Sequence, residues 1–399
     1  MSMEKQRSWV EAWGMSHAPL SLMSFSSRRR TLRLVLNSAI SGERARIRLC
    51  NQHSGGAVVV GRASIALCDK NGTIGDPGSI RQITFHGEEG LALPPGGKAV
   101  SDEVGFAVPV GAYVAVSLYI EKGRLQSGNC LNNARLLCAR GDLSGAPVIH
   151  HKKRVKDYII SVADRLLGMT LHSPIPLFQA AELLNGDGAS SIECFGDSLM
   201  QQGFWVNIFE EKIRGLYPGR YSVINKAITG SRILRDTSKR LPLRGFFGVK
   251  ALERVEDDIF AFEGIGYVIF CIGTNDFIQP GTVVGYQTEW ASAEEIAAGA
   301  STLAAMIRAR GIPLIGLNYV PVGLSKDASA EKNALRLQLN EWFETCDVFD
   351  YKFDISSPFT SAENPDLPLA AYVGRDRTHP NDAGGRAIAQ AIDCAAFMK

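Results

Sequence analysis

The sequence predicts two architectures in one chain: an antiparallel β-sandwich or jelly roll first, then a parallel β-sheet with helices on both faces. Up to about residue 185 the apolar residues recur with a period of two, which is typical of half-buried strands. After about residue 190, short apolar runs alternate with longer helical stretches, which is typical of a parallel sheet. A length of 399 residues also favours two domains, each with its own core.

Alternation defines the strands of the first part. Arginines alternate with apolar residues over 44–49, and one face of 113–120 is formed by valine, leucine and isoleucine. The runs 58–67 and 105–110 show the same pattern, and Asn-Gly, Pro-Gly and Gly-Gly pairs separate the runs. Many short strands at this spacing predict an all-β sandwich of the jelly-roll kind.

The boundary between the two parts is predicted in the polar, glycine-containing segment 184–191. The preceding segment 151–185 contains strand-like pieces at 157–162 and 167–171, so we assign it to the first domain. We therefore predict a β-sandwich domain at 1–185 and an α/β domain at 186–399.

The second part reads as strand and helix in alternation. Apolar residues at helical spacing, such as Leu335 and Leu339, mark the buried faces of the longer stretches. We expect strands at 192–195, 221–225, 267–272, 312–318 and 348–351, and helices at 204–213, 293–310, 328–346 and 382–397.

Composition excludes several function classes. The formal net charge of +2 is close to neutral and gives no electrostatic drive toward nucleic acid or an anionic membrane. No run approaches the roughly 20 apolar residues that span a bilayer. The first twenty residues lack the apolar region of a secretory signal, so we expect a cytoplasmic location.

No cofactor is predicted. The eight cysteines are scattered without a CxxC pair, which indicates free thiols rather than disulfides or a metal site. No phosphate-binding loop, dinucleotide fingerprint, HExxH pair or EF-hand loop occurs. We expect neither a metal nor a nucleotide to be needed.

Three residues supply the groups for ester hydrolysis through a covalent serine intermediate. Ser198 follows the predicted strand 192–195 at a strand-to-helix turn, near the positive end of the helix dipole. Asp376 and His379 are three positions apart in one turn, so the carboxylate can fix the imidazole tautomer. The alternatives are that Asp197 and Ser198 only cap a helix and that His379 is a surface loop residue.

Two further residues could stabilise an oxyanion. Asn275 follows the predicted strand 267–272 and offers a side-chain amide, and Gly230 follows 221–225 and offers a backbone N–H. An Asx turn at Asn275 and a simple turn glycine at Gly230 are the competing interpretations. Functional groups gather beyond the carboxyl ends of parallel strands, so we expect these residues to meet Ser198 and His379 there.

These four blocks make the C-terminal half resemble the GDSL esterase/lipase family, also called SGNH hydrolases. The blocks are FGDSL at 195–199, AITGSR at 227–232, GTND at 273–276 and DRTHP at 376–380, in family order. The resemblance implies a flavodoxin-like three-layer α/β/α fold, with Ser198 as nucleophile, His379 as base and Asp376 as its orienting acid. It also implies an oxyanion hole formed by the amides of Ser198 and Gly230 and the side chain of Asn275.

The whole chain resembles a two-domain subgroup in which a β-sandwich precedes the hydrolase. The strands at 31–51 and 100–120 carry that resemblance, whereas 127–139 differs from the aromatic- and histidine-containing segment expected there. We therefore predict a cofactor-free serine esterase for short acyl groups, such as acetyl, on a sugar or another polar alcohol. The alternatives are a lipid or thioester acylhydrolase with the same triad, and a glycan-binding protein with an inactive hydrolase domain.

Overall fold

The computed structural model describes residues 7–151, 172–240 and 247–397. The strand-like pieces predicted at 157–162 and 167–171 lie outside these ranges. In the described part of the chain, no helix has the length and apolar character needed to cross a membrane.

The first part of the chain is rich in antiparallel strands, as the period of two predicts. One sheet has the order β1-β14-β4-β8, with β9 also paired to β4, and a second has the order β12-β3-β10-β5-β6, with β7 also paired to β5. A small third sheet has the order β13-β11-β2. The strands are β1 Ser8–Gly14, β2 Ala18–Pro19, β3 Phe25–Asn37, β4 Gly42–Cys50, β5 Val58–Cys68, β6 Arg81–Ile83, β7 Leu91–Leu93, β8 Lys98–Val100, β9 Val104–Val108, β10 Tyr113–Leu125, β11 Ser127–Asn129, β12 Arg135–Arg140, β13 Ile175–Pro176 and β14 Phe178–Asn185.

The two larger sheets form a β-sandwich because each buries one apolar face in a shared core. Ile47 and Leu183 of the first sheet pack in the same cluster as Leu34 and Val116 of the second. The arginines that alternate with the apolar residues of β4 point to the other side of their sheet. The predicted β-sandwich is therefore confirmed.

The second part is a parallel five-stranded sheet with the order β16-β15-β17-β18-β19. Its strands are β15 Ser190–Gly196, β16 Tyr221–Asn225, β17 Ile265–Cys271, β18 Leu314–Leu317 and β19 Tyr351–Phe353. Its helices are α1 Ser198–Gln201, α2 Val206–Leu216, α3 Ala251–Val255, α4 Thr274–Ile278, α5 Ala293–Arg308, α6 Ala330–Thr345 and α7 Asp382–Ala391.

Both faces of this sheet are covered by helices, which makes the α/β/α sandwich that the sequence predicts. Along β17, Ile269 packs in one core with α2 and α7, whereas its neighbour Phe270 packs in the other with α5 and α6. α5 begins at a capping box in which Ser292 and Glu295 exchange side-chain-to-backbone hydrogen bonds. The fold class predicted from the sequence is thus confirmed.

Several element boundaries predicted from the sequence differ from the structure, most clearly those of the last strand and the last helix. The last strand lies at Tyr351–Phe353 rather than 348–351, because Phe349 packs into a helix-covered core and Asp350 uses its carboxylate to accept the N–H of Leu314. The last helix ends at Ala391 instead of 397, because Ile392 has extended backbone and a separate 3₁₀ turn follows. The helix predicted at 204–213 runs from Val206 to Leu216.

A fully buried ion pair joins the strand-rich part to the parallel sheet. Lys226, which follows β16, places its Nζ 2.7 Å from Oε1 of Glu11 in β1. Burial raises the pKa of Glu11, the nearby carboxyl of Glu193 raises it further, and Lys226 opposes both. The contact fixes against β1 the start of the loop that follows β16 and contains Gly230.

Candidate active site

Ser198 lies at the first position of α1, directly beyond the carboxyl end of β15. Asp197 precedes it as the N-cap, and its Oδ1 accepts the N–H of Leu199 at 3.1 Å. The capping role weighed for this pair therefore belongs to Asp197 alone. Ser198 is 8% exposed, and its hydroxyl points away from the helix end, toward His379.

A continuous chain of hydrogen bonds joins the three residues of the predicted triad. His379 Nε2 lies 2.8 Å from Ser198 Oγ, and His379 Nδ1 lies 2.6 Å from Asp376 Oδ2. The other carboxylate oxygen of Asp376 accepts the N–H groups of Thr378 and His379, both at 3.0 Å. The turn thus orients the carboxylate through its own backbone, and the carboxylate in turn orients the imidazole.

The charge on Asp376 favours one imidazole tautomer. Burial acts to raise the pKa of Asp376, but its hydrogen bond to His379 and the donated N–H groups outweigh burial, so the pKa lies below its usual value. An ionised carboxylate can only accept, so Nδ1 of His379 carries a proton and Nε2 of the neutral ring faces the serine hydroxyl as an acceptor. This arrangement can remove the proton of Ser198.

Gly230 lies in the segment of residues 226–234 after β16, which we call the oxyanion loop because the sequence predicts that role for Gly230. Its φ of 73° is in the left-handed region, and a Cβ at this position would overlap the ring of Phe247. Among the hydrogen bonds of the described residues, none is donated by the backbone N–H of Gly230 or of Ser198. Both N–H groups therefore remain available to an oxyanion within the described part of the chain.

Asn275 connects Asp197, the residue before Ser198, to the oxyanion loop. Its Nδ2 donates to Asp197 Oδ2 at 3.1 Å and to the carbonyl of Ser231 at 3.2 Å. For the Asn275 amide to donate to an oxyanion, one of its two N–H groups must either bond the oxyanion and its present acceptor together or leave that acceptor. The Asx-turn alternative weighed for Asn275 does not describe these bonds, since both acceptors are distant in sequence.

Two buried aspartates hold the backbone around the site. Burial raises the pKa of Asp197 to about 7, and the hydrogen bond from the N–H of Leu199 opposes this shift. Burial also raises the pKa of Asp276 to about 6, although its carboxylate accepts the N–H groups of Ile233 at 2.7 Å and Leu234 at 3.0 Å. Asp276 thereby fixes the far end of the oxyanion loop.

The sequence interpretation missed three side chains that hold the oxyanion loop. Gln279 Nε2 donates to the carbonyl of Gly230 at 2.8 Å, and Arg254 reaches Ser231 Oγ at 3.2 Å and the carbonyl of Gly196 at 2.8 Å. Gln201 accepts from both the N–H and the hydroxyl of Thr229. Gln279 lies four positions after Asn275, a helical spacing that could have indicated it, whereas nothing in the sequence marks Gln201 or Arg254.

The structure brings the five predicted site residues to one edge of the sheet. His379 is hydrogen-bonded to both Ser198 and Asp376, and Asn275 is hydrogen-bonded to Asp197 and Ser231, the neighbours of Ser198 and Gly230. Within residues 7–151, 172–240 and 247–397, no group of three or more His, Cys, Asp or Glu side chains could hold a metal ion. The arrangement has the groups for nucleophilic attack by a serine on a carbonyl carbon.

Residues 194–387 match the family model of the GDSL-like lipase/acylhydrolase family, and this range contains all four sequence blocks. A GDSL-like lipase from Bacteroides thetaiotaomicron is similar at 15% identity, covering 52% of this chain and 88% of its own, with a TM-score of 0.37. An acetylxylan esterase from Geobacillus stearothermophilus is similar at 17% identity, covering 51% of this chain and 93% of its own, with a TM-score of 0.38. Comparison with curated proteins gives no match.

Proposed function

We propose that Ser198 is the nucleophile of this chain, which is a carboxylic ester hydrolase with a GDSL-like lipase/acylhydrolase domain at residues 194–387. The observation that carries the proposal is the hydrogen-bonded chain from Ser198 Oγ through His379 to Asp376, with contacts of 2.8 Å and 2.6 Å. A serine hydroxyl is a weak nucleophile by itself, and a neutral imidazole within hydrogen-bond distance is the group that activates it.

The reaction proceeds in two half-reactions. Ser198 Oγ attacks the acyl carbon while its proton passes to Nε2 of His379, and the imidazolium then gives that proton to the departing alcohol. Water, deprotonated by the same imidazole, hydrolyses the acyl-enzyme and releases the acid. Asp376 remains ionised throughout, holding Nδ1–H and stabilising the imidazolium.

The negative charge on the carbonyl oxygen is stabilised by the N–H groups of Ser198 and Gly230 and by the amide of Asn275. Each such donor contributes about 10²–10³-fold in kcat in serine hydrolases. Gln279 and Asp276 keep the loop of Gly230 in place, so these donors are oriented before the reaction begins. Preorganised donors act most strongly because they cost no reorganisation during the chemical step.

For the substrate, we propose a small acyl group on a polar alcohol. The ring of Phe247 packs directly against Gly230, which supports a narrow acyl side of the site. On the triad turn, the exposed Arg375 and Arg377 flank Asp376 and support a polar leaving group such as a sugar. The predicted sandwich domain at 1–185 adds a second surface on which a larger carbohydrate ester could rest.

Hydrolysis of p-nitrophenyl acetate by wild-type protein and by Ser198→Ala tests the proposal. We expect measurable turnover by wild type and a loss of several orders of magnitude in kcat for Ser198→Ala, up to about 10⁶-fold as for other triad serines. Ser301→Ala is a matched control, because among the described residues its hydroxyl donates a hydrogen bond only to the carbonyl of Ala297 within α5. Similar unfolding temperatures for the three proteins would exclude misfolding as the cause of a loss of activity.

Two outcomes would redirect the assignment. Near-normal activity in Ser198→Ala would refute the nucleophile. No turnover by folded wild-type protein on short or long acyl esters and thioesters would instead favour a glycan-binding protein with an inactive hydrolase domain. Activity confined to long-chain esters or thioesters would favour a lipid or thioester acylhydrolase with the same triad.

A further inference from the structure

We propose that Gln201 is a positioning residue that lets the strand-rich part of the chain hold the oxyanion loop in its active geometry. The inference rests on the proposed role of Gly230 as an oxyanion donor. It concerns a connection between two parts of the molecule: β11, which pairs with β2 and β13, and Thr229, the residue immediately before Gly230.

Gln201 lies at the end of α1, three positions after the nucleophile, and is 7% exposed. Its Oε1 accepts both the N–H and the hydroxyl of Thr229. Its Nε2 donates to Asn129 Oδ1 at 2.7 Å and to the carbonyl of Cys130 at 3.2 Å. One buried carboxamide therefore joins β11 to the oxyanion loop through four hydrogen bonds.

The chemistry of the partners fixes the orientation of this carboxamide. The backbone N–H of Thr229 can only donate, and the backbone carbonyl of Cys130 can only accept. A flipped amide would place two donors together on one side and two acceptors together on the other. Gln201 can therefore fill this position only with its oxygen toward Thr229, and a carboxylate or a hydrocarbon cannot replace it.

Asn129 is the anchor on the opposite side and is itself fully engaged. Its Oδ1 also accepts the N–H of Cys130 at 2.8 Å, and its Nδ2 donates to the carbonyls of Ser16 at 3.0 Å and Ala227 at 2.9 Å. Ala227 belongs to the oxyanion loop. The loop is therefore held at two points, Ala227 and Thr229, by side chains that depend on the position of β11.

The position of Gly230 N–H follows from these contacts together with one on its other side. Gln279 holds the carbonyl of Gly230 and Gln201 holds the N–H of Thr229, so the peptide units on either side of the one that carries Gly230 N–H are both held. Without Gln201, the N–H and hydroxyl of Thr229 lose their acceptor, and the peptide bond that carries Gly230 N–H can rotate. A displacement of about 1 Å in a catalytic group can cost about 10²-fold in rate.

The test compares Gln201→Ala and Gln201→Glu with Gln202→Ala. Gln202 is 8% exposed, similar to Gln201, but within the described residues only its backbone takes part in hydrogen bonds. For p-nitrophenyl acetate we expect kcat to fall by about 10- to 100-fold in both Gln201 variants, with KM within about 2-fold, because the oxyanion exists only in the transition state. Gln201→Glu keeps an acceptor for Thr229 but turns a carboxylate oxygen toward Asn129 Oδ1 and Cys130 O, so it should not rescue. Gln202→Ala should match wild type.

Inhibition by phenylboronic acid supplies a second readout that a merely structural role would not move. The boronate forms a tetrahedral adduct with a serine hydroxyl, and one of its oxygens occupies the oxyanion position. We expect its Ki to rise in Gln201→Ala in proportion to the loss of kcat/KM. Unchanged kcat and Ki in Gln201→Ala, even with a lowered Tm, would overturn the inference.

Asn129→Ala tests whether the strand-rich part exerts this control. We expect a loss of kcat of about 10-fold or more, since both holding points of the loop lose their anchor. Normal kcat in Asn129→Ala would overturn the role of β11 even if Gln201 matters. Ser198→Ala in the same assay separates this inference from the proposed function: if that variant retains activity, the nucleophile assignment fails first.

Discussion

Replacing Asn275 by alanine would distinguish a catalytic asparagine from a structural one. Its Nδ2 donates hydrogen bonds to Asp197 Oδ2 and to the carbonyl of Ser231, so the residue connects the segment before Ser198 to the oxyanion loop in the resting protein. As an oxyanion donor, Asn275 would contribute about 2.7–4 kcal/mol to the transition state, which corresponds to a loss of about 10²–10³-fold in kcat with little change in KM.

The same substitution also removes two resting hydrogen bonds. At about 1 kcal/mol for each, the free energy of unfolding falls by about 2 kcal/mol, which lowers Tm by about 4–8 °C for a unit of about 150–250 residues that unfolds as one. Rates on p-nitrophenyl acetate at 25 °C, far below either transition, report the chemistry of folded protein. The two effects are therefore measured separately on one variant.

Asn185→Ala is the matched control for this experiment. Its Nδ2 donates to the carbonyl of Ser41 at 2.9 Å and its Oδ1 accepts the N–H groups of Asp187 and Ala189, so it makes a comparable set of bonds at the opposite end of β15 from Ser198. We expect a similar loss of Tm and an unchanged kcat. If Asn275→Ala behaves in the same way, with kcat within about threefold of wild type, then the oxyanion role of Asn275 is refuted.

Four further results are expected. Asp376→Asn should lower kcat less than His379→Ala, because the carboxylate orients the imidazole whereas the imidazole transfers the proton; equal losses would contradict these roles. Rates on p-nitrophenyl esters of about two to twelve carbons should peak at the short end, since the ring of Phe247 lies against Gly230 on the side that we propose for the acyl group, and a long-chain maximum would refute the acetyl-like substrate. Burial lowers the pKa of His17 from 6.5 to about 4, so between these pH values only the unfolded chain binds a proton at this residue, and the free energy of unfolding falls as the pH drops from 6.5 to 4. In urea titrations, His17→Gln should reduce the pH dependence of the free energy of unfolding by at most about 1.4 kcal/mol per pH unit. An unchanged pH dependence would contradict this role of His17. Lys226→Met should destabilise by about 3–5 kcal/mol by leaving Glu11 without its partner, and Glu11→Leu in the same chain should restore most of the loss; an additive double variant would contradict this pairing.

The sequence predicted the fold class well because local patterns encode it. A period of two marks strands with one buried face, as in β4 and β10, and alternation of apolar strands with amphipathic helices marks a parallel sheet. The candidate triad could be proposed from the sequence for the same reason. Asp376 and His379 lie three residues apart, so their contact depends on one turn, and Ser198 follows a strand whose end could be located from its apolar run.

Local pattern was insufficient where long-range contacts compete with it. Val348 and Phe349 are apolar enough for a strand. Phe349 is nevertheless buried in the helix-covered core, and the carboxylate of Asp350 accepts the N–H of Leu314, so the residue pairing with β18 starts at Tyr351. The sequence does not show which is more stable for such a segment, pairing with a neighbouring strand or packing against a helix that is distant in the chain. For the same reason, the sequence did not show that the last helix ends before Ile392.

The connections around the oxyanion loop were decided only by tertiary structure. Asn129 and Gln201 are 72 residues apart, and Arg254 meets Gly196 across 58. Side-chain hydrogen bonds of this kind depend on how the strand-rich part packs against the parallel sheet, and no spacing in the chain records that packing. The sequence alone therefore determined the fold class and marked the candidate site residues, whereas tertiary packing determined how the oxyanion loop is held, because a local pattern specifies the conformation of a segment but not its distant partners.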